Sequence, residues 1–96
     1  ADATEINQNG VPFQTNTTIE NNNPHIWNIS TTTTNGAGNV GLNTFGKFNV
    51  SEGDTANLNL INQQNKLVNL VFDSSASQID GIVNSYKNGQ IGGGKN

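Results

Sequence analysis

The sequence predicts an all-β fold on three observations. Apolar residues alternate with polar ones over short runs, Asn and Gly punctuate those runs, and no stretch holds a convincing helical period. Asn makes up about a fifth of the 96 residues, and Asn, Gly and Thr together about two-fifths. The apolar fraction of 31% lies well below the roughly 45–50% usual for globular chains. Such low hydrophobicity marks disorder when charge, Pro and Glu are abundant. Here charged residues are 11% and Pro occurs twice, which suits short strands joined by tight turns. Strands spaced this way are compatible with a sandwich, a barrel or a β-solenoid. Inward use of Asn, Thr and Gly favours the solenoid, where like side chains stack from coil to coil. A coil of about 20–25 residues would give about four turns in a single domain spanning 1–96.

Residues 14–20 form the first expected strand, rich in Thr and closing near Ile19. Pro24 has no amide to donate and belongs at a turn or a strand edge. Residues 25–29 make a second strand, with Trp27 on one face and Ile26 on the other. Thr31 to Thr34 continue toward a turn at Asn35-Gly36. Asn-Gly recurs at Asn9-Gly10 and Asn88-Gly89, and both residues tolerate the positive φ of tight turns. From Val40 the alternation is clear. Val40 and Leu42 share a face, as do Phe48 and Val50, and Leu58 and Leu60 repeat the pattern with Asn57 and Asn59 opposite. The dense apolar run 67–72 predicts a strand buried on both sides. Ile79, Ile82, Val83 and Ile91 complete the apolar set. The one helical contender, 73–86, is interrupted by Gly81 and rich in Ser and Asn. In so thin a core Phe45, Phe48 and Phe72 are assigned to burial, leaving Trp27 and Tyr86 as candidate ligand contacts.

Charge and composition exclude several functions. The net charge is −3, and the four Lys (Lys47, Lys66, Lys87, Lys95) stand singly, so no basic stripe exists to neutralise phosphates. No apolar run is long enough to span a membrane as a helix. Ala1-Asp2-Ala3 would suit a terminus left by removal of a signal peptide. Without Cys, stability is expected from stacking or chain continuation instead of disulfides.

The residues with chemical potential each have a plainer explanation. Gly36-Ala37-Gly38-Asn39-Val40-Gly41 matches G-x-G-x-x-G. Dinucleotide binding needs a helix N-terminus behind those glycines, and strand alternation follows instead. His25 lies in a polar turn, and no pattern marks it as part of a Ser-His-Asp relay. One His without Cys gives too few ligands for zinc. Glu52 and Asp54 offer oxygens for weak calcium binding, but two carboxylates around a Gly more often form a solvated turn. Asp73 and Asp80 carry no mark of a glycosidase pair. Sequons at Asn16, Asn28 and Asn49 are about as many as this composition gives by chance. The sequence assigns no catalytic residue, metal or cofactor, and points away from an enzyme.

Two regions carry a resemblance. One is Gly38-Asn39-Val40-Gly41-Leu42-Asn43-Thr44-Phe45-Gly46-Lys47-Phe48-Asn49-Val50. The other comprises Gln78-Ile79-Asp80-Gly81-Ile82-Val83-Asn84-Ser85 and Gly89-Gln90-Ile91-Gly92-Gly93-Gly94. Together they resemble the N-terminal domain of two-partner secretion exoproteins, the filamentous haemagglutinin-type adhesins and leukotoxins. The likeness covers mainly residues 36–96. It implies a right-handed parallel β-helix with an N-terminal cap over 1–35, coils over 36–96 and extra β-hairpins. The family's Asn-Pro-Asn-Leu motif is not found, and its Asn-Pro-Asn-Gly motif would fall after Asn96, as if the domain were truncated there.

The resemblance further implies a secretion signal and folding nucleus, exported unfolded through the periplasm to the surface of a Gram-negative bacterium. Its partner would be an outer-membrane β-barrel transporter with POTRA domains. Phe45 and Phe48 would then anchor the first coils, and Asn43 and Asn49 would satisfy turn backbone. Val50, Ile79 and Gly81 would belong to the same recognition and nucleation segments. The alternatives are a glycan- or host-binding module acting through Trp27 or Tyr86, and a purely structural solenoid fragment.

Overall fold

Nine strands and no helix make up the described part of the chain, residues 3–87 and 90–91, in this computed structural model. In order they are β1 (Glu5–Asn7), β2 (Thr17–Asn23), β3 (Ile26–Thr31), β4 (Val40–Phe45) and β5 (Lys47–Asn49). There follow β6 (Thr55–Leu60), β7 (Lys66–Val71), β8 (Ile82–Lys87) and β9 (Gln90–Ile91). The expected Asn88-Gly89 turn, the Gly92-Gly93-Gly94 element and the Ala1-Asp2 terminus lie outside the described residues.

The fold is all-β, with small mixed sheets. Strands β3, β6 and β8 lie parallel in one row, so that Asn28, Asn57 and Asn84 fall in register. Strands β4 and β7 form a second parallel row, and Val50 bridges Ile79 in parallel just beyond β5. The asparagines stacked in the two rows are 26, 27 or 29 residues apart, longer than the 20–25 expected. The extra length sits in the corners. Residues 33–35 fold back onto β4, with Leu42 N–H donating to the Thr33 carbonyl at 2.9 Å and Thr34 bridging Gly41. Residues 72–78 make a second long corner before Ile79.

Antiparallel neighbours complete the rows. β2 lies against β3, β1 against β5, and Thr34 against Gly41. These three neighbours come from the first 35 residues and sit on the edge away from the parallel partner, while at the opposite end of the five-stranded sheet β9 pairs antiparallel with the end of β8. The β2–β3 reversal is a tight turn at Pro24-His25, held by Asn23 Oδ1 accepting from the His25 amide at 2.9 Å.

Strand alternation decides what is buried. On β6, Ala56, Leu58 and Leu60 enter the core, with Asn57 and Asn59 on the opposite face. On β4 the core face is Gly41, Asn43 and Phe45, while Val40 and Leu42 lie half-buried on the other side in register with Lys66 and Val68. Nine apolar residues form the core, with Ile19 and Trp27 packed at its margin. Burying one of its large side chains contributes about 1.5–3 kcal/mol, so this core is modest. Polar side chains share the interior and are bonded, as low-dielectric burial requires. Gln64 donates to the Thr31 carbonyl at 2.7 Å, and the Thr15 and Thr44 hydroxyls meet at 3.1 Å.

The run 67–72 corrects the expectation of a strand buried on both sides. Leu67 is 1% exposed, but Leu70, Val71 and Phe72 are 38%, 37% and 40% exposed. Alternation carries Leu70 and Phe72 to the outer face. Val71 shares the inward face of Leu67, but no described strand lies on the second edge of β7 to cover it. Phe72 is therefore not a core residue; its ring meets Phe13 edge-on, with centroids 5.8 Å apart.

Candidate recognition and nucleation site

The residues singled out between 43 and 50 converge with those from 78 to 81 at one corner. Phe45 closes β4 and Phe48 centres β5; both are buried, and their rings pack edge-to-face at 5.0 Å between centroids. Alternation alone would send side chains three apart to opposite faces. The bend at Gly46 between the strands turns both rings inward. A Cβ at Gly46 would lie 1.6 Å from the Asn9 carbonyl oxygen, so only glycine lets the N-terminal segment cross here. The Gly46 amide donates to the Asn7 carbonyl at 2.9 Å, tying that crossing down.

Val50, 1% exposed, is the hinge of the corner. Its amide donates to the Gln78 carbonyl at 2.9 Å, and its carbonyl accepts from Asp80 at 2.8 Å and Gly81 at 3.1 Å. The side-chain oxygen of Asn49 accepts from the Gln78 amide at 2.9 Å. A Cβ on Gly81 would meet the Ser51 and Asp54 carbonyl oxygens, both at 2.3 Å, so the chain passes there only without a side chain. Ile79, though bridged to Val50, is 46% exposed.

Asn43 does something other than satisfy turn backbone. Fully buried, it accepts from the Thr17 hydroxyl at 2.8 Å and donates through Nδ2 to Asn69 Oδ1 at 2.9 Å. A second ladder runs along the neighbouring row, from Asn84 to Asn57 at 3.1 Å and from Asn57 to Asn28 at 2.9 Å. In that ladder each Nδ2 donates to the Oδ1 of the preceding strand.

Trp27 and Tyr86 are not brought together. Trp27 aligns with the buried Ala56 and packs against the core, whereas Tyr86 aligns with Asn59 on the other face. The G-x-G-x-x-G run leads into β4 with no helix behind it, so the glycines hold no phosphate cradle of that kind.

Sequence reasoning missed two polar junctions. Asp54 takes the Thr4 hydroxyl on Oδ2 at 2.6 Å and faces His25 Nδ1 with Oδ1 at 2.8 Å. The Thr4 hydroxyl bond, then the one with His25, holds the Asp54 carboxyl below its ordinary value. Both carboxylate oxygens of Asp54 are thus engaged by the protein. Asp73 is likewise lowered, first by the Ser75 amide and then by the Lys47 ammonium at 3.0 Å. Lys47 is correspondingly raised by that bond and by the charge of Asp73. Among the described residues no three His, Cys, Asp or Glu side chains converge as a metal would need.

No family model, curated protein or solved structure matches the chain. What the corner and the ladders present to a partner is backbone edge, carboxamide and apolar surface.

Proposed function

We propose that this chain is the capped beginning of a right-handed parallel β-helix, serving as secretion signal and folding nucleus for a larger exoprotein. A POTRA-bearing outer-membrane β-barrel would recognise it in the periplasm and export it unfolded to the cell surface. The reading draws support from the parallel rows repeating every 26–29 residues and from the two asparagine ladders. The observation that carries it is the asymmetry of the edges. Antiparallel segments cover one edge of every row, while the second edge of β7 is unpaired among the described residues. On that second side β9 pairs with the end of β8, which leaves β7 as the strand that could template an added one, in one direction only. Uncharged, strand-forming segments such as β4 are also suited to backbone pairing with a receptor while still unfolded.

The deciding experiment is a titration of the POTRA domains encoded beside the gene, with the chain either freshly diluted from urea or refolded. Saturable binding that favours the unfolded form is expected. Equal binding of both forms, or none, sinks the export-signal reading. Phe48→Asp is expected to abolish folding and export together; wild-type export from that variant would remove Phe48 from the site.

A further inference from the structure

Among the described residues the second edge of β7 is unpaired, and it differs from the outer edge of β2. β2 is one outermost strand of the five-stranded sheet, with β9 at the other end. It carries Glu20, a run of exposed asparagines and a register shift between Glu20 and Asn23. Charge and irregularity of this kind blunt an edge. β7 has regular register over all six residues, and its one charged side chain, Lys66, stands at its first position.

Its inward face alternates Leu67, Asn69 and Val71. The central rung is directional. Asn43 Nδ2 donates to Asn69 Oδ1, which leaves the Asn69 Nδ2 as a donor with no partner among the described residues. Across two successive pairings in the neighbouring row, the chain meets an open carboxamide with another Asn in register. The register rule carries over to β7 with the polarity reversed, because Asn69 displays a donor and the incoming carboxamide would accept.

We infer that the free edge of β7 is a docking site for an extended polypeptide strand running parallel to it, with Asn opposite Asn69 and apolar residues opposite Leu67 and Val71. Backbone hydrogen bonds supply the pairing, and the flanking apolar residues gain cover for Val71. The carboxamide sets the register. A slip by one residue would place the incoming Asn on the wrong face and leave the Asn69 donor facing an apolar side chain. This selection is a property of the edge and does not depend on the export role.

The chain itself supplies a probe, because residues 65–72 (Asn-Lys-Leu-Val-Asn-Leu-Val-Phe) already have the required pattern. A labelled synthetic peptide of that sequence is titrated into the full chain, beside versions with the central Asn replaced by Leu or by Asp. The Asn and Asp peptides are expected to bind at least tenfold more tightly than the Leu peptide, and to slow amide exchange along β7. Asn69→Asp keeps an acceptor for Asn43 but removes the outward donor. That variant should still bind the Asn peptide, which can donate, and should lose the Asp peptide by tenfold or more. Circular dichroism checks that the variant folds, and the wild-type titrations decide the matter if it does not. Equal binding of the three peptides, binding by none, or protection on β2 in place of β7 overturns the inference. Transporter binding is measured separately, so loss of that activity with peptide preference intact would sink the export reading alone.

Discussion

Phe45 ends the shared register of β4 and β7 and Phe72 follows that register by one position, yet the first is fully buried and the second 40% exposed. Alternation turns Phe45 inward and Phe72 outward, and the cover at the two edges of the parallel rows differs as well. On one edge, β1, β2 and residues 33–35 cover β5, β3 and β4 with antiparallel backbone. On the other, Val71, Ile79, Ile82 and Val83 leave apolar surface exposed. A hairpin such as β2–β3 needs only a short reversal, so the β3 edge is covered locally. A parallel row needs a whole circuit of the chain for each new strand. Part of the covered edge is therefore local, but β1 reaches β5 from far along the chain, Glu5 pairing with Asn49 and Asn7 with Lys47, and among the described residues nothing pairs with the second edge of β7.

The largest effect expected from this comparison is on stability. Phe45→Ala should cost about 3–5 kcal/mol, as for a large core aromatic, and Phe72→Ala under about 1 kcal/mol. Urea unfolding midpoints at unchanged slope would measure both, and equal losses would break the contrast. Gly81→Ala comes next, at about 1–3 kcal/mol, because its Cβ would press on two backbone carbonyls that cannot retreat without moving the 51–54 turn. A loss no larger than that of Phe72→Ala would mean the corner is more yielding than its spacing implies.

Acid should act on the two polar junctions. Asp54 and Asp73 have lowered values in the folded chain, so the unfolded chain takes up their protons first. Their stabilisation is present above the ordinary carboxylate value and is lost as pH falls through the lowered folded values. Amide exchange at Ser51, which donates to the Thr4 hydroxyl at 2.8 Å, should quicken over that window, and Thr4→Val should remove much of the response. Lys47 works in the opposite sense. Its raised value keeps its contribution up to about the ordinary lysine range and loses it as pH rises beyond. The smallest effect is expected at the free edge, where Val83→Thr should change stability by no more than about 0.5 kcal/mol.

Alternation made much of the fold legible from residues alone. Leu58 and Leu60 face the core with Asn57 and Asn59 opposite, as read, and Phe45 and Phe48 are buried as assigned. The run 67–72 was harder, because a continuous apolar stretch carries no phase. Its division into an inward Leu67, Asn69 and Val71 and an outward Val68, Leu70 and Phe72 comes from pairing with β4. The ladders were invisible for a related reason. Composition revealed many asparagines, but which of them meet depends on corner lengths, and these exceeded expectation. Thr4 and Asp54 lie 50 residues apart and His25 and Asp54 29 apart, separations at which no short motif could announce the contact.

The covered edge also has a consequence for symmetry. An object that can bond through both of two different faces repeats head-to-tail and grows without limit, whereas one with a single bonding face can only close upon a copy of itself. With β1, β2 and residues 33–35 satisfying one set of edges, self-association through the β7 edge would be isologous, would set the two copies of β7 antiparallel, unlike the parallel strand inferred above, and would stop at a pair. Sedimentation velocity at rising concentration should then reach a dimer plateau with no filament boundary ahead of it.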